Sequence, residues 1–530
     1  MATIAEGVET VAGRKAAIPK AAYYALAVLT AANVLNYLDR QIVSILAQSI
    51  KADLRLDDAQ LGFLLGTAFA VFYSVVGIAM GRIADGLSRK KVMAFGLTLW
   101  SLMTALGGAA NNFATLGLAR IGVGVGEAVA NPCGHSLVAD MFPPKNRAVA
   151  MSVLLSGVFI GGTFAMFIGG LFLTQYQHVC QALPIAGACA VAPWKAALVA
   201  VALPGLPLAL MLLAIREPPQ APHDAGSAIG LVLREIATAL PPFTMLTLLR
   251  IGGKRAFTGN IAIAAGIAAI AAVLIHLTRD AAQWAAFGLG AYAVITWGHI
   301  QRYRDRPLFA LTFGDPTFAW ATASCALIAC IGGSAGVWSA PYAMRTYPEV
   351  PAHEIGLTIG LTHIAGSLMG VLLGGQLADR WKLRDRRAPM WICAIALIGT
   401  IPCLLLMLLV KDFHTFLAAI FLLGIFSGSW SPGGAAMVQD LVLPRMRGSA
   451  AASYSLVAIV ISSGTGPYWA GKVSTLTGSL TAGLLSMLPL APLALIMLWL
   501  AARRLPFETP DARRARAAAA GETALQESLP

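Results

Sequence analysis

Charge is scarce in this sequence: of its 530 residues only 12% are Asp, Glu, Lys or Arg. A water-soluble domain carries roughly twice that share. With 58% of the residues hydrophobic and a mean hydropathy of +0.73, the chain has more apolar surface than one globular core can hide, so lipid must be the solvent for most of it. No GxxxxGK[ST] occurs, which removes support for ATP-driven transport. Nor is there a Cys/His spacing for a metal or a nucleophile constellation, so the sequence reads as a non-enzyme without cofactor or metal. The glycines from Gly122 to Gly126 lie inside an apolar helix with no preceding strand and are not a dinucleotide fingerprint. Cysteines number seven. Cys133, Cys325, Cys330, Cys393 and Cys403 fall in apolar spans as small hydrophobes, whereas Cys180 and Cys189 share a loop expected on the oxidising side, which leaves a disulfide open. No short apolar signal segment precedes the first span, which therefore reads as a retained anchor.

What is present is a series of apolar stretches long enough to cross a hydrocarbon core of roughly 30 Å. They lie at 22–48, 60–83, 91–110, 114–140, 147–174, 193–215, 257–277, 282–300, 317–343, 354–379, 389–410, 413–440, 447–475 and 480–502. Backbone groups in lipid have no water to bond, so these about fourteen segments must be helices, and the fold class is all-α and polytopic. The net charge of +13 reports topology, not a nucleic-acid partner. Its basic residues (Arg14, Lys15 and Lys20, then Arg89 to Lys91, Lys145 and Arg147, Lys382 to Arg387, Arg445 and Arg447, Arg503 and Arg504) sit in alternate short loops. That side is read as cytoplasmic, with both termini inside an inner membrane.

A repeat divides the chain. Gly81-Arg82-Ile83-Ala84-Asp85 with Arg89 returns as Gly375-Gln376-Leu377-Ala378-Asp379-Arg380, and Asp140 to Pro144 with Arg147 returns as Asp440 to Pro444 with Arg447. Two six-helix units facing a central cavity explain this, an arrangement that permits rocking between inward- and outward-open states. The expected domains are an N-terminal tail over 1–21, one bundle over 22–215, a linker over 216–316 with an extra membrane hairpin at 257–300, a second bundle over 317–503 and a tail over 504–530. A carboxylate at a helix end can hold a neighbouring cation in one conformation only. Gly81, Asp85 and Arg89, with Asp379 and Arg380, are therefore read as a conformational latch, the alternative being a simple topogenic cluster.

Ionisable residues inside the membrane are costly and become functional candidates. Asn36-Tyr37-Leu38-Asp39-Arg40 sets a carboxylate and a guanidinium in an apolar run. Arg120 and Glu127, seven residues apart, share one helix face. Burial favours a protonated carboxyl and a nearby Arg favours the ionised one, so conformation can switch proton occupancy. Asp39 and Glu127 are the proton-coupling candidates. Arg120 either pairs with them or takes an anionic group of the substrate; the competing reading is a permanent salt bridge that fixes helix packing. Arg40, Tyr37, Thr67, Tyr73, Ser156, Trp430 and Tyr454 are further candidate cavity residues for an amphipathic ligand, and His135 and His363 are weaker titrating candidates.

At Asn36 to Arg40, Ile50 to Leu54, Ala119 to Ala128 and Asp140 to Pro144, the sequence resembles the spinster-like family of the major facilitator superfamily. The resemblance covers the first half and, more loosely, 316–503. It implies a twelve-helix fold and proton-linked transport of lipids such as sphingoid or lysophospholipid species, with Asp39 and Glu127 at the coupling carboxylates and Arg120 at the cavity arginine. The hairpin at 257–300 and a long loop at 174–193 depart from that pattern. The expected partners are protons, membrane lipids and an amphipathic solute, and the expected state is a monomer. The rival readings are a proton-coupled symporter of small organic anions, which a second cavity cation would favour, and a non-transporting membrane sensor or enzyme.

Overall fold

The computed structural model describes residues 18–182, 188–218, 228–240 and 243–522. In chain order its helices are α1 (Lys20–Leu54), α2 (Asp58–Gly62), a π-helical turn (Phe63–Thr67), α3 (Ala68–Gly86), α4 (Arg89–Gly108), α5 (Phe113–Glu127), α6 (Ala130–Met141), α7 (Pro144–Ala182), α8 (Pro193–Ala202), α9 (Gly205–Leu213), α10 (Ala228–Ala239), α11 (Phe243–Thr278) and α12 (Ala281–Arg304). Then come α13 (Arg306–Leu311), α14 (Pro316–Thr346), α15 (Ala352–Lys382), α16 (Ala388–Leu409), α17 (Phe413–Asp440), α18 (Arg447–Thr477), α19 (Leu480–Leu485), α20 (Leu490–Arg504) and α21 (Pro510–Ala519). No strand occurs among the described residues. Twelve helical segments there are long and apolar enough to cross a membrane. The expected spans at 91–110 and 282–300 form α4 and α12 but are more polar: α4 opens on Arg89, Lys90 and Lys91, and α12 carries Gln283 and His299.

Local chemistry sets the helix ends. Asp57 accepts from the Gln60 N–H while the Gln60 side chain accepts from the Asp57 N–H, a reciprocal cap that starts α2. Asn112 and Asp412 cap α5 and α17 in the same way, each accepting an N–H three residues on. Between helices, small residues set the spacing. A Cβ at Gly366, Gly370 or Gly374 of α15 would run into the carbonyls of Phe421, Ile425 and Ser429 on α17. That glycine row brings the two backbones into direct contact, which in lipid replaces the missing hydrophobic drive between helices. Gly157 and Gly161 of α7 meet the backbone of α1 at Thr30 and Val34 likewise.

The groups α1–α9 and α14–α20 meet at one end of the molecule. There Gly62 abuts Pro467, Gly471 abuts Asp58, and Gly170 and Gly356 sit between α7 and α15. The opposite end carries Arg89, Lys382 and Arg445 in its loops. Among the described residues, no hydrogen bond or ion pair joins the two groups at this basic end. Within each group the repeat shows in the pairs: Arg89 meets Asp140 at 2.5 Å, and Lys382 meets the corresponding Asp440. The hairpin of α11 and α12 lies along the seam of α3 and α18. Gly290 faces Val71 and Val460, the Gln283 amide bonds Thr67 and the Gly464 carbonyl, and Asp280 accepts from Tyr468 at 2.8 Å and pairs with Lys472 at 2.6 Å. Cys180 and Cys189 are joined in a disulfide with Cα atoms 5.2 Å apart.

Candidate functional site

Between the two groups, against the sealed end, lies a cavity of about 440 Å³. Its wall is apolar where Leu65, Val158, Phe159, Met166 and Ile359 face it, with Gln41, His363 and the hydroxyls of Ser367, Ser427 and Ser462 as polar points. Among the described residues, no acidic side chain, Lys or Arg lines it. Of the expected cavity residues it takes in Tyr37 and Trp430; Arg40, Arg120, Thr67, Tyr73, Ser156 and Tyr454 lie outside its lining. Thr67 is fully buried, donating toward Gln283 and Gly464. Ser156 turns back on Val153, Tyr73 accepts from Asn131, and Tyr454 packs against Gly434.

Beside the cavity, α1, α3 and α5 enclose the ionisable cluster. Arg40 Nε donates to Glu127 at 2.7 Å, and its guanidinium lies over the rings of Tyr37, Phe69 and Tyr73 at 4.9, 4.7 and 4.5 Å. Arg120 donates to the Asp39 carbonyl at 3.2 Å and forms no ion pair among the described residues. Both carboxylate oxygens of Asp39 and the second oxygen of Glu127 are buried with no hydrogen-bond donor. A buried ionic oxygen without a donor costs several kcal/mol, on the order of the desolvation penalty of the group. The Tyr37 ring joins the two regions, since it lines the cavity and carries the Arg40 cation.

The sealed end holds a second charged centre that sequence reasoning passed over. Arg345 of α14 grips Asp58 of α2 with two nitrogens at 2.8 and 2.7 Å, and Asp58 also receives Lys51 at 2.6 Å and Ser474 at 2.6 Å. Gln48 takes the remaining Arg345 Nε at 3.1 Å. The fork geometry makes this a strong, directional tie between the two groups. The available signal was an arginine at the end of one span and an acid at the start of another, but nothing in the spacing pairs residues 287 apart.

The latch residues fare differently. Arg89 is buried and bound by Asp140 and by Glu217 at 2.9 Å. The side chain of Asp85 and the surroundings of Gly81 lie outside the described residues. Asp379 and Arg380 are exposed and form no ion pair among the described residues.

The Major Facilitator Superfamily model matches residues 29–371 and 322–527. The chain belongs to that superfamily. It is similar to an MFS-type efflux pump of Mycolicibacterium smegmatis, 29% identical over 92% of this chain and 94% of that one. It is also similar to spinster homolog 3 of Mus musculus, 24% identical over 86% of this chain and 75% of the relative. Among solved structures, a bacterial homologue of the human lysosomal transporter spinster, inward-facing and unoccupied, superposes with a TM-score of 0.69, at 23% identity, over 94% of this chain and all of that one. The chain is a multi-pass membrane transporter of that superfamily, similar to spinster homologues.

Proposed function

We propose that the chain is a proton-coupled secondary transporter of an amphipathic, lipid-like organic solute, placed in an inner membrane with its basic end and both termini cytoplasmic. The observation that carries the reading is the pairing of an apolar, uncharged cavity with a buried cluster of Asp39, Arg40, Arg120 and Glu127 at its edge. A solute with a long apolar part fits the wall, while its polar group reaches Gln41, His363 and the serines. The small-anion reading asks for a second cavity cation from the far half; Arg345, the nearest candidate, is committed to Asp58.

In this reading the halves over 22–215 and 317–503 rock about the cavity. Opening of the far side hydrates Asp39 and Glu127 in turn, and Arg40 released from Glu127 re-pairs when a proton leaves. Proton flux into liposomes holding the purified chain tests it. Lysophospholipid-dependent acidification is expected for the unaltered chain, with at least a tenfold loss in Asp39→Asn and Glu127→Gln, the size of a removed proton-transfer group. Flux that persists unchanged in both variants ends the coupling assignment, and flux driven by small carboxylates alone moves the assignment to the anion class.

A further inference from the structure

A second hollow lies at the basic end of the C-terminal group, away from the transport cavity. It encloses about 380 Å³. Lys382, Arg386, Arg447, Arg513 and Arg514 line it, against one carboxylate, Asp440. Asp440 is already taken by Lys382. Arg386, Arg447 and Arg513 form no ion pair among the described residues. Burial and the neighbouring charges of Arg386, Arg447 and Arg514 push the Arg513 guanidinium below its ordinary value.

The internal repeat shows what is unusual here. In the N-terminal group the corresponding base, Arg89, is met by two carboxylates, Asp140 and Glu217, the second from the segment that follows α9. After α20 the C-terminal group brings arginines into that place, and its own glutamate, Glu508, turns away to Arg516. Among the described residues, Arg386, Arg447 and Arg513 therefore meet no carboxylate at ion-pair distance.

A third hollow is built on elements that also lead to this one. Trp381, Trp391, Ile395, Ile398, Leu495 and Trp499 line a groove of about 430 Å³. Two elements run from groove to pocket: α15 passes from Trp381 to Lys382 at its end, and α20 passes from Trp499 toward Leu505, which lines the basic hollow. Arg503 stacks over Trp499 at 4.5 Å between them. Leu383, 89% exposed, follows Lys382 directly in the chain. Tryptophan beside clustered arginine is the chemistry of the lipid headgroup level.

We propose that these two hollows form one site for an anionic phospholipid, its phosphate in the basic pocket and an acyl chain along the tryptophan-lined groove. Occupancy neutralises the cations that α15, α18 and α21 bring together and relieves their repulsion, so a bound anionic lipid ties the α21 segment to the C-terminal group.

Native mass spectrometry of the full chain in detergent, with phosphatidylglycerol or phosphatidylcholine added, tests the assignment. The unaltered chain is expected to retain phosphatidylglycerol in clear preference to phosphatidylcholine. Arg447→Gln with Arg513→Gln removes two charges at the membrane surface, so retention is expected to weaken about 30-fold. Trp499→Ala is expected to weaken retention with no change of net charge. Arg147→Gln, at the repeat counterpart of Arg447, is expected to leave retention unaltered and so separates a specific site from general basicity. Equal retention of the two lipids, or equal loss in the Arg147 variant, overturns the proposal. Binding of inorganic phosphate, read by a thermal shift, with no lipid preference overturns the lipid assignment as well.

Discussion

Asp58 carries the residue-scale argument most directly, because three side chains converge on one buried carboxylate. Arg345, Lys51 and Ser474 donate to it, and Gln48 steadies Arg345 from behind. Removing one partner of a buried, bidentate pair costs about 3–5 kcal/mol, because the other charge is left desolvated. Arg345→Gln is therefore expected to shift the balance toward the state open at that end by roughly two to three and a half orders of magnitude. A cysteine at Val337, just inside the seal, would then react faster with a membrane-impermeant thiol reagent in the variant; no change in its rate would show that the glycine contacts alone hold the seal. Glu217 makes a second prediction outside the membrane. Burial works against its charge, but hydrogen bonds from Arg89 and Ser88 outweigh that and hold its carboxyl below the ordinary value. A carboxyl lowered on folding stabilises the chain above its unfolded value, and that contribution is lost as pH falls through the folded one. Glu217→Gln is expected to lower the thermal midpoint at pH 7 and to flatten its decline between about pH 5 and pH 3, the range of an ordinary Glu and below. A decline as steep as that of the unaltered chain would remove Glu217 from the acid transition. Asp39, Arg120 and Glu127 were legible in the sequence because an ion in an apolar run stands out. Their partners were not, since Arg40, and not Arg120, reaches Glu127, and that depends on how α1 turns against α5.

At the scale of elements, composition predicts helices where lipid leaves the backbone no other partner; the caps at Asp57, Asn112 and Asp412 that start three of them emerge from the structure. The packing of the added hairpin emerges there as well. The apolar stretch of α11 lies unburied at the periphery, while α12 is tied to both groups through Gln283, whose side chain is buried between Thr67 and the Gly464 carbonyl. A hairpin anchored to α3 and α18 covers that seam, leaving the seam of α7 and α15 as the lipid-facing side of the cavity. Gln283→Ala removes one of the two side-chain donors to the Gly464 carbonyl, leaving the Thr67 hydroxyl as the other, and is expected to cost about 1 kcal/mol, read as a lower midpoint in a thermal unfolding assay in detergent. Gln283→Glu keeps the shape but loses the amide donor; if it matched the unaltered chain, the bond to Gly464 would carry no weight. The seam of α15 and α17 is governed by volume instead. No side chain fits between Gly370 and the Ile425 carbonyl, so Gly370→Leu forces the helices apart.

For the whole molecule, the repeat and the alternation of basic loops made the two-group plan readable, because both are properties of the sequence itself. The state of the molecule was not readable, because which end is sealed depends on contacts between residues hundreds apart. The contacts gather at the end of Asp58, Gly62 and Gly170, while the basic end has no such tie among the described residues. Alternating access requires that this seal break in every cycle, since a solute bound in the cavity otherwise leaves only by the end through which it came. A covalent bridge across the seal should then abolish transport without abolishing binding. Ala59 and Thr475 suit that test, as the Ala59 N–H donates to the Thr475 hydroxyl at 3.1 Å across the interface. Ala59→Cys with Thr475→Cys, oxidised, is expected to bind a lysolipid from the basic end with unchanged affinity, to move none across a liposome membrane, and to recover on reduction. If the oxidised protein still transports, the two ends do not alternate in the way this arrangement requires. If it no longer binds, the cavity is loaded from the sealed side.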